Sequence, residues 1–258
     1  MNMKTIKTVL AAAALLAAAS CLSSCYIRFS EEAKKTIKDN LTSKVIPGEI
    51  LADTLALEES IKGISVSGAN DIEVIQDSEQ GIVLSSQWYS VKAEGDTIPC
   101  IRQVKCEVKD GILRIEPTGS ITGNVDITVR CRMPESISKS GSGSLKLHGF
   151  QGHDLEITSS GSGDMDLGSL LLDGKLTIAA SGSHHIDCQD INVAELDYRS
   201  SGSGTASFSG ETISASLSKA GSGNIDASGL DIKGEASVSN AGSGTITYRQ
   251  KGQEKVVR

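Results

Sequence analysis

Two aspartates and a lysine pose the first chemical question. Lys146, Asp166 and Asp187 each stand six residues after the start of a recurring phrase, at Ser140-Gly-Ser-Gly143, Ser160-Gly-Ser-Gly163 and Ser181-Gly-Ser-His184. In a chain that coils once per phrase they share one outward column, which Ser207 and Asp226 continue. Asp166 and Asp187 then stand about 4.8 Å apart, the spacing of neighbouring strands. Paired carboxylates beside a cation can hold calcium and assist proton abstraction from an acidic polysaccharide. Such a site also needs a basic surface for its substrate, whereas the flanking positions are Ser144, Asp164, His185 and Thr205. The competing reading is a solvated sheet face that carries a Lys–Asp pair.

The remaining reactive side chains form no comparable set. His148, His153, His184 and His185 fall at different offsets within the phrase, so they do not stack into a zinc site and surface placement is expected. Cys106, Cys131 and Cys188 sit on apolar faces and Cys100 lies beside Pro99. Export would permit disulfides among these four in any of three connectivities, and the alternative is that they are small buried hydrophobes. Trp88, the only tryptophan, lies beside Tyr89 in the irregular part of the chain, where it either contacts sugar or packs. Lys146 and Asp166 occupy the slot of the third glycine in a dinucleotide fingerprint, and apolar residues occupy the aspartate slot of a calcium nonapeptide repeat. No catalytic residue, metal ligand or cofactor is therefore assigned, and Lys146, Asp166, Asp187 and Trp88 stand only as surface candidates.

What must position these residues is the repeat itself. The phrase returns at Ser201-Gly-Ser-Gly204, Ala220-Gly-Ser-Gly223 and Ala241-Gly-Ser-Gly244, at spacings of 20, 21, 20, 19 and 21 residues. Self-similarity at this period marks a solenoid, in which one coil buries its apolar face only against its neighbours. Alternation separates inside from outside. Leu145 and Leu147, Met165 and Leu167, Ile186 and Cys188, Ala206 and Phe208, Ile225 and Ala227, and Ile246 and Tyr248 are expected core columns. A second inward strand follows in each coil, as at Leu155 and Ile157, Leu176 and Ile178, Leu196 and Tyr198, Ala215 and Leu217, and Ala236 and Val238. Differences in repeat length fall between the two strands, where a loop absorbs them. Glycine suits the corners, and stacked serines can hydrogen-bond from coil to coil.

The N-terminal half is β-rich but less regular. Val104–Val108 and Ile112–Ile115 flank Asp110-Gly111 and read as a hairpin, because Asp-Gly supplies the positive φ angles of a tight turn. Residues 125–133 alternate without interruption up to Pro134. The expected division is 1–24 as an export signal, 25–54 as a polar tether, 55–136 as the irregular β-rich part and 137–258 as the solenoid.

Lys4 and Lys7 precede an apolar run from Val9 to Ser20 that is too short to span a bilayer, and Leu22-Ser23-Ser24-Cys25 follows. That ending is similar to a bacterial lipobox, with Cys25 as the lipidated residue; Cys21 and a plain cut after Ala19 are the alternatives. Lipid at Cys25 would tether the protein to a membrane without a spanning helix. The protein is then expected outside the cytoplasm, lipid-anchored in the cell envelope at the outer membrane or cell surface. Loss of Lys4 and Lys7 takes the formal charge from −7 to −9. With 3% aromatic residues and no basic patch, nucleic acid is not an expected partner.

Ile64-Ser-Val-Ser-Gly-Ala-Asn-Asp-Ile-Glu-Val74, the segment from Val108 to Ile115, a strand closing on Met133-Pro134 and the Ser-Gly-Ser-Gly coils together resemble the auto-transporter adhesin head, or GIN, domain over about residues 55–248. The resemblance implies an all-β, right-handed parallel β-helix (β-solenoid) with coils of about 20 residues. It also implies a non-enzymatic head that binds a glycan or protein, with no catalytic residues to carry over. A calcium-dependent polysaccharide lyase built on Asp166 and Asp187 is the rival expectation.

Overall fold

The computed structural model describes residues 44–57, 60–91, 96–118 and 124–258. Apart from a 3-10 turn at Cys100–Gln103, its regular elements are strands. The N-terminal part holds β1 (Lys44–Ala56), β2 (Gly63–Ser67), β3 (Asp71–Gln76), β4 (Gly81–Val91), β5 (Thr97–Pro99), β6 (Val104–Lys109), β7 (Ile112–Pro117) and β8 (Asp126–Cys131). The repeats begin with β9 (Ser136–Gly141), β10 (Leu145–His148), β11 (Gln151–Gly152), β12 (Leu155–Gly161), β13 (Met165–Gly168) and β14 (Leu171–Gly182). They end with β15 (His185–Gly202), β16 (Thr205–Gly221), β17 (Ile225–Ile232), β18 (Ala236–Ala241), β19 (Ile246–Gln250) and β20 (Gln253–Val257). This is the expected β-solenoid, with about six turns of about 20 residues.

Parallel pairing repeats the sequence period. On the first face Leu145 pairs with Met165, Met165 with Ile186, Ile186 with Ala206, Ala206 with Ile225 and Ile225 with Ile246. All of these are buried, as are Leu147, Leu167, Cys188, Phe208 and Ala227 two residues on. The register is firm because a slip of one residue would turn the whole apolar set outward. Inside the stack the Tyr198 and Phe208 rings meet edge to face at 5.0 Å. The second inward strand forms the third face, where Leu155, Leu176, Leu196 and Ala215 stack in register. In the last coil Ala236 and Val238 are only half-buried, because no further coil covers β18.

Each coil also has a short second face that the two-strand reading lacks. Gln151–Gly152 pairs with Leu171–Leu172, which pairs with Asn192–Val193. Phe150, Leu170, Leu172, Ile191, Val193, Leu230 and Ile232 are buried along it. Runs of two to four residues are too short to display a period, and the corners around them shift the alternation. The differences in repeat length are absorbed here, as register shifts between Cys188 and Ile191 and between Ala227 and Asp231.

The Ser-Gly corner makes the coils touch. Gly141, Gly161, Gly182, Gly202 and Gly221 have φ between 109° and 126°. A Cβ on any of them would lie 2.0 to 2.4 Å from the carbonyl oxygen of the glycine one coil back. The expected serine ladder is a backbone ladder: the N–H groups of Ser142, Ser162, Ser183, Ser203 and Ser222 donate to those glycine carbonyls at 3.0 to 3.2 Å.

Spatial order departs from chain order at the N-terminal end. β3 lies between β8 and β10, and β2 lies between β7 and β9. The first coil in the chain is thus enclosed by a later coil on each side, and residues 55–136 share one continuous core with the repeats. The Asp110-Gly111 hairpin forms as expected, with φ of 55° and 74° at its turn. β1 pairs antiparallel with β4, so the expected tether gives way to a strand from Lys44 onward rather than at residue 55. At the other end β20 folds back antiparallel on β19. Among the described residues no helix is long and apolar enough to cross a membrane.

Candidate functional site

The outward column on the first face forms as its spacing requires: Lys146 pairs with Asp166, Asp166 with Asp187, Asp187 with Ser207 and Ser207 with Asp226. Its side chains are engaged by neighbours rather than converging. Asp187 accepts from the Ser207 hydroxyl at 2.6 Å and from Gln189 Nε2 at 2.6 Å. Asp166 lies 3.4 Å from His148 Nε2, so histidine takes the place expected for Lys146. Among the described residues no three His, Cys, Asp or Glu side chains are grouped to hold a metal.

The histidines divide between surface and interior. His153 Nδ1 meets Asp173 Oδ1 at 2.6 Å, and this bond, with the Asp154 charge beside it, raises the imidazole pKa above the usual histidine range. His185 bonds Thr205 Oγ1 at 2.8 Å on the exposed face. His184 departs from the expected surface placement: it is buried, with neither ring nitrogen hydrogen-bonded.

Trp88 lies on β4 opposite Pro47 and is half-buried against the core. Cys106, Cys131 and Cys188 are thiols that fill apolar positions, and Cys100 is buried in the core. Burial pushes the Cys106 and Cys131 thiols up to about 11 and Cys188 higher still, which makes them poor nucleophiles. Cys25 and Cys21 lie outside the described residues.

A concave surface occurs instead on the third face. One residue before each phrase points inward, so the residue before that and the first residue of the phrase point out. The result is two parallel columns, Ser138, Thr158, Ala179 and Arg199 beside Ser140, Ser160, Ser181 and Ser201. Because nearly all of these side chains are small, the strands lie under a shallow open trough of about 380 Å³, lined by all of them but Ser140. Its floor is formed by Lys139, Ser159, Ala180 and Ser200, which are buried.

Arg199 closes one end of the trough and is fixed there by charge. Its Nε and Nη2 donate to the two oxygens of Asp197 at 3.1 and 2.8 Å. Asp197 is 4% exposed and also faces Lys175 at 3.3 Å, while Lys175 Nζ donates to Glu195 at 2.6 Å. The bond to Glu195, then Asp197, raises the Lys175 pKa. A bidentate pair of this kind orients the guanidinium and leaves it further donors. The trough therefore offers hydroxyl donors and acceptors and one oriented cation, but no nucleophile paired with a base. It can hold a polar, extended segment by hydrogen bonds. Alternation around the serine phrase places both columns outward, but the sequence does not show that they enclose a hollow, since that depends on the curvature of the coil.

The family model described as "Putative auto-transporter adhesin, head GIN domain" matches residues 61–256. No curated protein matches the chain. Among solved structures, a "putative adhesin" from Parabacteroides merdae ATCC 43184 is similar with a TM-score of 0.60 and 17% identity, covering 77% of this chain and 81% of that one. A "putative adhesin" from Bacteroides fragilis NCTC 9343 has a TM-score of 0.56 and 17% identity, covering 78% of this chain and 97% of that one. A "putative lipid binding protein" from Parabacteroides distasonis ATCC 8503 has a TM-score of 0.58 and 18% identity, with coverages of 80% and 96%. At these identities the likeness is one of fold.

Proposed function

Because the chain belongs to the auto-transporter adhesin head GIN domain family, we propose that it is a non-enzymatic, adhesin-type binding protein of the cell envelope. Cys25 carries the lipid that anchors it at the outer membrane or cell surface, and the solenoid head presents the third-face trough to a glycan or protein partner. The observation that carries this reading is the trough: its Ser160, Ser181 and Ser201 hydroxyls repeat at the strand spacing of about 4.8 Å, which suits a polar chain lying along them. The formal charge, −9 once Lys4 and Lys7 are removed, favours neutral partners over nucleic acid or strongly anionic polymers. Single contacts of this polar kind are weak, and many copies on one membrane raise the effective affinity.

The polysaccharide-lyase reading gains no support from the Asp166–Asp187 column. Its carboxylates are occupied by Ser207, Gln189 and His148, and Lys146 forms no ion pair among the described residues.

The test is a glycan and matrix-protein binding array with the purified protein and a variant in which Ala179→Glu and Thr158→Arg fill the trough with bulk. Binding by the wild type and its loss in the folded variant is the expected result. Equal binding by both proteins would remove the trough as the contact surface. No binding by either, together with unchanged attachment of cells lacking the protein, would overturn the adhesive reading itself.

A further inference from the structure

The glycine column at the fourth position of the phrase is broken once. Cβ atoms built on Gly143, Gly163, Gly204, Gly223 and Gly244 would each strike the carbonyl of the residue one coil back, and His184 occupies the same column between Gly163 and Gly204. Its ring goes inward. The residue is 6% exposed, and Nε2 lies 2.6 Å from where a Gly204 Cβ would stand, so the imidazole fills space that the next glycine leaves open. Neither ring nitrogen has a hydrogen-bond partner.

The charged group facing this ring is Lys139 of β9. It is 3% exposed, and its Nζ stands 2.7 Å from a Gly163 Cβ position and 3.4 Å from the Gly141 carbonyl oxygen. Burial lowers the Lys139 pKa, and the charges of Asp71 and Asp164 oppose that shift; Asp164 is exposed, as is His185 beside the imidazole. Lys219 reaches away along the stack to the carbonyls of Gly221 and Ser243. Ser159, Ala180 and Ser200 line the corner from the third face and bring no charge. A neutral imidazole is tolerated in this enclosure. An imidazolium would be a second buried cation near Lys139 with no acceptor for its protons, the costly case for a buried charge.

We infer that His184 makes its coil an acid-sensitive rung: the imidazole takes up a proton only by leaving the interior, and the corner at residues 181–184 opens as it does so. Burial first, and the Lys139 charge second, hold the closed-state pKa below the ordinary 6.5. The open state therefore binds more protons than the closed one. The contribution to stability is complete above pH 6.5 and is lost as the pH falls through and below it, by up to about tenfold in the open-to-closed ratio per pH unit. The backbone bonds released are Ser183 N–H to Gly161, Ser203 N–H to Gly182 and Thr205 N–H to His184.

Amide hydrogen exchange on the purified protein at about pH 7.5 and about pH 5.5, corrected for intrinsic rates, tests this. Protection at Ser203 and Thr205 should fall on acidification in the wild type while Ser162, in the preceding corner and bonded to Gly141, keeps its protection. His184→Gly, which restores the residue of the other phrases, and His184→Asn, which stays uncharged, should both abolish the difference. His148, His153 and His185 are present in every variant, so any effect of theirs is common to all of them. Equal wild-type protection at the two pH values, the same acid loss in both variants, or an imidazole pKa at or above 6.5 by NMR would overturn the inference.

Discussion

Replacing Gly182 by alanine separates two reasons for which a glycine can be required. Gly182 has φ of 109°, a conformation that costs an L-residue about 1 to 3 kcal/mol. Its Cβ would also lie 2.2 Å from the Gly161 carbonyl oxygen, against 3.4 Å for ordinary contact, so adjacent coils must part by about 1 Å. Parting them weakens the Ser183-to-Gly161 and Ser203-to-Gly182 bonds, each contributing about 0.5 to 1.5 kcal/mol. The expected loss is about 2 to 6 kcal/mol. Gly149 supplies the control, since its φ is 74° but nothing lies within 4 Å of its Cβ position, and Gly149→Ala should cost about 1 kcal/mol. Urea denaturation followed by circular dichroism measures both, provided the m-value is unchanged. Equal losses would mean that backbone conformation alone, and not contact between coils, sets the need for glycine at the corner.

Leu167→Ala should cost about 2 to 5 kcal/mol, because Leu167 is fully buried, while Asp166→Asn beside it should stay within about 0.5 kcal/mol; similar denaturant midpoints would reverse the assignment of inward and outward columns. Cys25→Ala should release the protein into the soluble fraction and abolish lipid labelling, whereas Cys21→Ala should do neither, and the opposite pattern would move the anchor. Incubation with acidic polysaccharides and calcium should yield no rise in unsaturated ends; activity that an Asp166→Asn, Asp187→Asn double variant loses while still folding would restore the lyase reading.

How much was legible follows from the range over which each interaction acts. The period of the Ser-Gly phrase and the alternation around it determined the β-solenoid, the core columns from Leu145 to Tyr248 and the outward alignment of Lys146, Asp166 and Asp187. These are consequences of one short motif and of the two-residue repeat of a strand. The Asp110-Gly111 turn was legible for the same local reason. Only the tertiary structure decided how aligned residues interact. Asp187 pairs with Ser207, and His148 displaces Lys146 at Asp166, because side-chain choice among neighbours depends on reach and rotamer rather than register. It also decided that β2 and β3 lie between coils that come later in the chain, since strand pairing carries no record of chain order. His184 shows the limit most directly. A histidine in a surface-like phrase goes inside because Gly204 leaves a space in the next coil, and that space exists only once the coils are stacked.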